Sequence, residues 1–364
     1  MTKENRIVIK NIYYMLTYAF QVLHQNQYEE VAVEEFEHIH DLFACILAKG
    51  IAGQLKQGLY REYKEQTEDV TTLHGKINIT ETIQNKMKLQ QKLCCSYDEL
   101  SEDNLYNQIL KSTCLLLLHQ DTVKKERKVQ LKKVLLLLAT IKEIDLKMVA
   151  WNRIRYERSN QNYEMLLHIC QMVVDGMLLT TKEGEYQLAS FLEEQKMCRL
   201  YEKFILEYYR KHHPEYHANA TQITWNVDGG TTELLPIMQT DITLKYEDRI
   251  LIIDAKYYTH TMQQQFDKYT IHSQNLYQIF TYVKNMDKKS TRKVSGILLY
   301  AKTEEQITPN ADFFMDGNQI SVKTLDLNQE FEKIKEQLEM IGDKYLKNVD
   351  FDKSRKKNSL SSYE

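Results

Sequence analysis

The sequence predicts an α/β protein with two parts. One is a mixed β-sheet flanked by helices in the C-terminal half, and the other is a mainly helical N-terminal domain that carries a β-hairpin region. Helical and strand-like segments alternate after residue 190, an order typical of α/β domains. Before that point the apolar periodicity is helical except between residues 59 and 83. With 43% hydrophobic and 27% charged residues, the composition is that of a globular protein.

The N-terminal half contains four stretches with a helical pattern, at residues 10–24, 34–58, 98–143 and 161–180. Between them, apolar and polar residues alternate around the turn His74-Gly75-Lys76, which indicates strands or a hairpin. The acidic group from Asp98 to Asp103 is expected to cap the following helix, with Ser101 or Asp103 as N-cap. The basic run at residues 120–133 is most simply a solvated connection between helices, and a phosphate-binding surface is the alternative.

The C-terminal half begins with a helical pattern that ends before Pro214. Strands are predicted at residues 220–227, 237–246, 249–257, 294–301 and 319–326, and helices at 193–213, 272–286 and 328–347. The second and third strands are separated only by Glu247-Asp248, which predicts a hairpin. The predicted domains are therefore residues 1–190 and 191–347, followed by a disordered polar tail at 348–364.

Composition and missing motifs exclude several classes of protein. A formal net charge of −3 means that any contact with DNA must come from a local basic patch. The six cysteines form no C-x-x-C pair, so we expect reduced, buried thiols. Because there is no signal-peptide pattern and no apolar run long enough to span a bilayer, we expect a cytoplasmic protein without membrane contact. The phosphate-binding motif G-x-x-x-x-G-K-[ST] is absent, which predicts no direct binding of GTP.

Charged residues interrupt two of the predicted strands. Asp241 lies in one apolar segment, and the run ILII leads directly into Asp254-Ala255-Lys256. Successive side chains of a strand point to opposite faces, so Asp254 and Lys256 share a face, and pairing of the two strands would bring Asp241 near Asp254. Two carboxylates and a backbone carbonyl suit Mg²⁺, which makes Asp241 and Asp254 predicted metal ligands. A lysine beside them could orient or deprotonate an attacking water, or stabilise a phosphorane, so the pattern indicates phosphodiester hydrolysis.

Three other residues favour this interpretation over a surface salt bridge, which is the usual meaning of a lone Asp-x-Lys. Glu202 on the preceding helix could supply a third carboxylate. Gln278 and Tyr282 are spaced i and i+4, so they share a face of the following helix that could look into the cleft. Each has a simpler alternative, with Glu202 as a solvated residue and Tyr282 as core packing. Their joint order along the chain favours a catalytic site.

That order (helix Glu, strand Asp, strand Asp-x-Lys, helix Gln-x-x-x-Tyr) resembles the PD-(D/E)xK nuclease superfamily, and the last pair is similar to its RecB-like branch. One departure is that Pro236 stands five residues before Asp241. A closer resemblance, over about residues 8–347, is to the McrC family, the nuclease subunits of McrBC modification-dependent restriction systems. The segments that resemble it are KNIYYMLTYAF, LHGKINITETI, SYDELSEDNLYNQILKST, LLPIMQTDITL, ILIIDAKYY and HSQNLYQIFTYV.

The resemblance implies a restriction-endonuclease-like domain that cuts double-stranded DNA carrying 5-methylcytosine, with Mg²⁺. It also implies a partner, an McrB-like AAA+ GTPase hexamer, into which the N-terminal domain inserts and whose GTP hydrolysis it stimulates. The family usually has an arginine-flanked glycine where this chain has His74-Gly75-Lys76.

By the same resemblance, Asp241 and Asp254 match the metal-binding acids and Lys256 the catalytic lysine, while Glu202, Gln278 and Tyr282 match supporting positions. The alternative function is a non-catalytic adaptor that activates the ring and carries a degenerate nuclease site. The intact Asp241, Asp254 and Lys256 argue against degeneration.

Overall fold

The structure is a computed structural model that describes residues 3–20, 34, 36–157, 160–178, 183–257, 263–265, 268–302 and 308–347. Side chains are described within these ranges except at residues 3–8, 176–178, 183–196, 263–265 and 268–269. The tail predicted at 348–364 lies outside the described residues. Contacts divide the chain into two compact units: unit 1 comprises Met1–Glu37 and Leu179–Glu364, and unit 2 is His38–Leu178.

The compact units differ from the predicted division near residue 190, because the first helix belongs with the C-terminal half. This helix, α1 (Lys3–Ala19), packs against the long helix α7 (Glu183–His212). The ring of Tyr18 meets those of Phe204 and Tyr208. Apolar residues of α1 find their buried partners in unit 1, a long-range contact that the local periodicity of the sequence does not contain. The partner-binding role expected for residues 1–190 stays a prediction.

Unit 2 is mainly helical and carries a small antiparallel sheet. Its helices are α2 (Ile39–Gln57), α3 (Ile79–Met87), α4 (Leu105–Leu118), α5 (Lys125–Leu137) and α6 (Glu164–Leu178). Its strands are β1 (Glu62–Val70), β2 (Lys76–Ile77) and β3 (Leu93–Ser101), in the order β1-β3-β2. The region predicted as strands or a hairpin, residues 59–83, does contain strands, but β1 and β2 do not pair with each other, since β3 lies between them. The prediction is wrong at residues 79–83, which belong to α3.

The start of α4 corrects two details of the sequence prediction. Residues 98–101, which were expected to be helical, belong to β3, and Ser101 pairs with Glu62 of β1. The N-cap is Asn104, whose side-chain oxygen accepts a 3.2 Å hydrogen bond from the backbone N–H of Asn107. The hydroxyl oxygen of Ser101 instead accepts a hydrogen bond from the backbone N–H of Asp103. Sheet pairing at a distance therefore overrides the local capping preference, as it commonly does.

Unit 1 contains a five-stranded mixed sheet in the order β11-β12-β10-β7-β6. These strands are β6 (Ile242–Tyr246), β7 (Arg249–Lys256), β10 (Val294–Lys302), β11 (Ala311–Met315) and β12 (Asn318–Asp326). Strands β7, β10 and β12 are parallel, while β6 and β11 run antiparallel to their neighbours at the two edges. The short strands β4 (Gln222–Ile223) and β5 (Met238–Gln239) form one pair, and β8 (Gln263–Gln265) and β9 (Lys268–Thr270) another. The predicted mixed α/β architecture is confirmed.

Helices cover the sheet because its central strands are apolar on both faces, as is usual for parallel strands. Helix α8 (Ser273–Met286) packs on one face, where Ile279 and Val283 lie in a cluster with Ile252 and Leu298. On the other face, the fully buried residues are Leu251, Ile253 and Ala255 of β7 and Ile297, Leu299 and Ala301 of β10. Helix α9 (Phe331–Leu346) packs with α7 against β6 and β7. None of the described helices has the length and apolarity needed to cross a membrane.

Candidate active site

The hairpin of β6 and β7 brings the two predicted metal ligands together. Ile242 pairs with Ile253, so Asp241, the residue before β6, stands opposite Asp254 in the continued register. Asp241 Oδ2 accepts a 2.9 Å hydrogen bond from the backbone N–H of Ala255. The predicted turn at Glu247-Asp248 fixes this register, with Tyr246 paired to Arg249 on either side of it. One carboxylate is thereby held against the middle of the Asp-x-Lys segment.

Asp254 is fully buried, and its carboxylate is only partly satisfied by the protein. Lys256 Nζ lies 2.8 Å from Asp254 Oδ2 and forms an ion pair with it. Among the described residues, neither oxygen of Asp254 accepts a hydrogen bond of good geometry. Burial raises the pKa of Asp254 to about 7, with Lys256 opposing the shift and the nearby Asp241 adding to it. Burial therefore disfavours the charged form of Asp254, and a bound cation would favour that form.

Asp241 and Glu202 are the other acids of the site. Burial raises the pKa of Asp241, although Lys256 and the Ala255 N–H favour its charged form. Glu202 lies on α7, and burial followed by repulsion from Asp241 raises its pKa to about 7. Lys256 and Arg199 act in the opposite direction on Glu202. The charges of Asp241, Asp254, Lys256 and Glu202 therefore influence one another near the end of β7. The catalytic and metal-binding roles assigned to these residues stay predictions.

Gln278 and Tyr282 occupy α8, on the face of the sheet that also carries Asp254. Gln278 Nε2 donates a 3.0 Å hydrogen bond to the hydroxyl of Tyr282. Tyr282 belongs to the hydrophobic cluster that includes Ile252, two residues before Asp254 on the same face of β7. The i, i+4 pair therefore forms as the spacing predicts and lies partly in the core. The catalytic roles assigned to the two residues stay predictions.

Two contacts of the site were not predicted from the sequence, in which all six cysteines are expected to be reduced, buried thiols. Cys198 Sγ lies 3.2 Å from Glu202 Oε1, one turn along α7, and 3.7 Å from the carbonyl oxygen of Ala255. Asn275 Nδ2 donates a 3.1 Å hydrogen bond to the hydroxyl of Tyr300, the β10 residue that pairs with Lys256. The i, i+4 spacing of Cys198 and Glu202 was the one signal available in the sequence.

The oxygen ligands of the site suit a hard divalent cation, although the side chains do not form a complete coordination sphere. In the described part of the chain, no group of three or more His, Cys, Asp or Glu residues is placed to hold a metal ion. The carboxylate of buried Asp254, however, accepts no hydrogen bond from the described residues and lies beside a second carboxylate, Asp241. Carboxylate oxygens are the ligands that Mg²⁺ prefers, and Mg²⁺ commonly uses only one or two of them and keeps several waters. Asp241 and Asp254 therefore fit a magnesium site.

Comparison with known proteins identifies the family. A family model described as "McrBC 5-methylcytosine restriction system component" matches residues 2–301, well over half of the chain. The chain belongs to this McrBC family. The resemblance inferred from the sequence is thereby confirmed.

Two individual proteins extend the comparison. The Type IV methyl-directed restriction enzyme EcoKMcrBC of Escherichia coli (strain K12) is 27% identical over 345 residues, which cover 94% of this chain and 99% of that protein. A chain in the solved half-complex of Thermococcus gammatolerans McrB AAA+ hexamers with bound McrC is 16% identical, with a TM-score of 0.52. The match covers 94% of this chain and 78% of the other. At that identity the structural likeness supports the McrBC-type fold alone.

Proposed function

We propose that this McrBC-family chain is the endonuclease subunit of a GTP-dependent restriction complex, which cuts methylated double-stranded DNA by Mg²⁺-dependent phosphodiester hydrolysis. The observation that carries the proposal is the meeting of Asp241, Asp254 and Lys256 at the end of β7. A buried carboxylate that accepts no hydrogen bond, such as Asp254 beside Asp241, destabilises a fold. A metal-binding role would explain why a group that destabilises the fold is present there.

The residues of the chain have distinct tasks in this reaction. Asp241 and Asp254 would hold the ion, and bound Mg²⁺ supplies Lewis-acid chemistry that activates water and neutralises phosphate charge. The ammonium group of Lys256, which lies 2.8 Å from Asp254, would orient the water or stabilise charge that develops on the phosphorus oxygens. With a pKa of about 7, Glu202 is able to hold or release a proton near neutral pH.

A partner ring is the second part of the proposal. In the Thermococcus gammatolerans assembly, McrC is bound to McrB AAA+ hexamers. We infer that this chain likewise acts with an McrB-like AAA+ GTPase hexamer and stimulates its GTP hydrolysis, without binding GTP itself. The N-terminal domain would make that contact, and in unit 2 the turn at Gly75 is exposed, with a positive φ of 69°. The position requires glycine, because the Cβ of any other residue would lie 2.5 Å from the carbonyl oxygen of Ser96.

The test measures two activities on the same complex, formed from the full chain and its partner ring. In Asp254→Ala and Lys256→Ala, the rate of cleavage of methylated DNA should fall by at least about 100-fold. Both variants should still stimulate GTP hydrolysis. Asp248→Ala is the matched control, because Asp248 is exposed in the β6–β7 turn and pairs with Lys293 instead. We expect this variant to cut DNA like the wild type.

Two results would contradict the proposal in different ways. If both site variants still cut methylated DNA, the residues are wrongly assigned. If the wild-type chain stimulates the GTPase and no DNA is cut at any Mg²⁺ concentration, the chain is the non-catalytic adaptor.

A further inference from the structure

We propose that Cys198 is a positioning residue for Glu202, and that its thiol holds the Glu202 carboxyl group toward Asp241 and Lys256. The inference rests on the proposed nuclease function and names one additional residue for that site. It follows from where the thiol lies, between a helix and the strand that carries Asp254 and Lys256.

The sulfur of Cys198 links two structural elements of the site. It lies 3.2 Å from Glu202 Oε1 on α7 and 3.7 Å from the carbonyl oxygen of Ala255 on β7. A thiol has one hydrogen, so it donates to one of these oxygens at a time. Either way, Cys198 stands at the place where α7 meets the Asp-x-Lys segment. All six cysteines are described and free, and Cys198 is the one that is not fully enclosed.

The thiol is present as a donor and not as a nucleophile. Burial, together with the neighbouring Glu202, raises the pKa of Cys198 to about 12. A protonated thiol donates a weak hydrogen bond, and a carboxylate is a strong acceptor for it.

The groups around Glu202 explain why its orientation matters. Asp241 repels its charged form, whereas Lys256 and Arg199 attract it. Glutamate has three side-chain torsions, and a carboxyl group between opposing charges can rotate among several positions. A donor one turn earlier on the same helix selects the position in which Oε1 faces β7. Packing of Cys198 between α7 and β7 is the purely structural alternative, and the experiments separate the two.

The first experiment compares Cys198→Ala with Cys198→Ser in the full chain assembled with its partner ring. Alanine removes the donor, and serine keeps a donor at the same place. We expect Cys198→Ala to lower kcat for DNA cleavage by about 3- to 10-fold while KM for DNA and stimulation of GTP hydrolysis stay unchanged. Cys198→Ser should restore kcat to within about 2-fold of the wild type. Cys114→Ala is the control for loss of a buried cysteine in unit 2, and it should cut DNA normally.

The second experiment tests the contact without DNA or metal. Urea unfolding of the full chain is measured for Cys198→Ala in the wild-type background and in Glu202→Ala. If the thiol acts on Glu202, the substitution should lower the unfolding midpoint in the first background and have little effect in the second. This measurement does not depend on nuclease activity.

Three results would overturn the positioning role. One is equal unfolding shifts in the two backgrounds, which would show that Cys198 only packs. Another is undiminished cleavage by Cys198→Ala, and a third is a serine variant as impaired as the alanine variant. An absence of cleavage by the wild-type complex would instead contradict the proposed function, and the unfolding measurement would still decide whether the contact exists.

Discussion

The side chain of Asp241 and the backbone of Ala255 are joined by a hydrogen bond of 2.9 Å, with Ala255 N–H as donor and Asp241 Oδ2 as acceptor. Asp241 is thus more than a source of negative charge beside Asp254. It also satisfies a backbone group at a fully buried position of β7, between the acid and the lysine of the Asp-x-Lys segment. Its structural and chemical roles are separable, because an amide can replace only the first of them.

Asp241→Asn and Asp241→Ala should therefore differ in stability and agree in activity. Both remove a carboxylate, so we expect both to lose DNA cleavage. Only the alanine variant leaves the buried N–H of Ala255 without its acceptor, which costs about 1–2 kcal/mol of the free energy of unfolding relative to asparagine. Urea unfolding of the two variants without metal measures this difference. Equal stabilities would contradict the assigned role of the hydrogen bond.

Asp254 should make the metal-free protein less stable as the pH rises. Burial raises the pKa of this carboxyl group to about 7 in the folded protein, above the ordinary value of about 3.9 in the unfolded chain. The folded state binds this proton more tightly than the unfolded state does, so protonation stabilises the folded protein. This stabilisation is complete below pH 4 and is lost as the pH rises through about 7. Asp254→Asn cannot ionise. In EDTA at pH 8 we expect it to be more stable than the wild type by more than about 1 kcal/mol.

Thermal unfolding of the wild type and Asp254→Asn between pH 5 and pH 8 checks this expectation. The advantage of the variant should shrink toward pH 5, where the wild-type carboxyl group is protonated. Asp248→Asn serves as the control, because Asp248 is an exposed residue whose pKa is lowered by Lys293. A difference between wild type and Asp254→Asn that does not vary with pH would contradict the assigned burial effect.

Gly296→Ala should displace α8 from the sheet. A Cβ at Gly296 would lie 2.7 Å from Val283 Cγ2 and 2.8 Å from Ile279 Cγ1, so these core side chains or the helix that carries them must shift. We expect a loss of about 1–3 kcal/mol in the free energy of unfolding, as is typical of overpacking in a core. Cleavage should fall as well, because α8 also carries Gln278 and Tyr282. Gly229→Ala, where no atom lies within 4 Å of the new Cβ, is the matched control.

The first helix should be required for the stability of unit 1. Asn11 is buried, and its Nδ2 donates to the carbonyl oxygens of Leu327 at 2.7 Å and Gln329 at 2.8 Å. Asn11→Ala leaves both oxygens without this donor, and we expect a loss of about 2 kcal/mol or more in the free energy of unfolding. Chemical denaturation measures it, with the neighbouring Lys10→Ala as control. An unchanged midpoint for Asn11→Ala would show that α1 contributes little to unit 1.

The sequence predicted most of unit 1 because its signals are local. Apolar runs and the turn at Glu247-Asp248 placed the β6–β7 hairpin, and the alternation of a strand put Asp254 and Lys256 on one face. In unit 2 the same reasoning was wrong at residues 98–101, where pairing with β1 decided the conformation. Pairing between strands far apart in the chain leaves little trace in local composition.

The family, the mixed α/β architecture and the residues that meet at the end of β7 could thus be predicted from the sequence. These depend on residue type and on short-range spacing. Only in the folded structure does α1 pack within unit 1, β3 lie between β1 and β2, and Cys198 approach Ala255. Those contacts join residues distant in the chain. Their stability comes from burying apolar surface and satisfying polar groups in three dimensions, which no window of sequence contains.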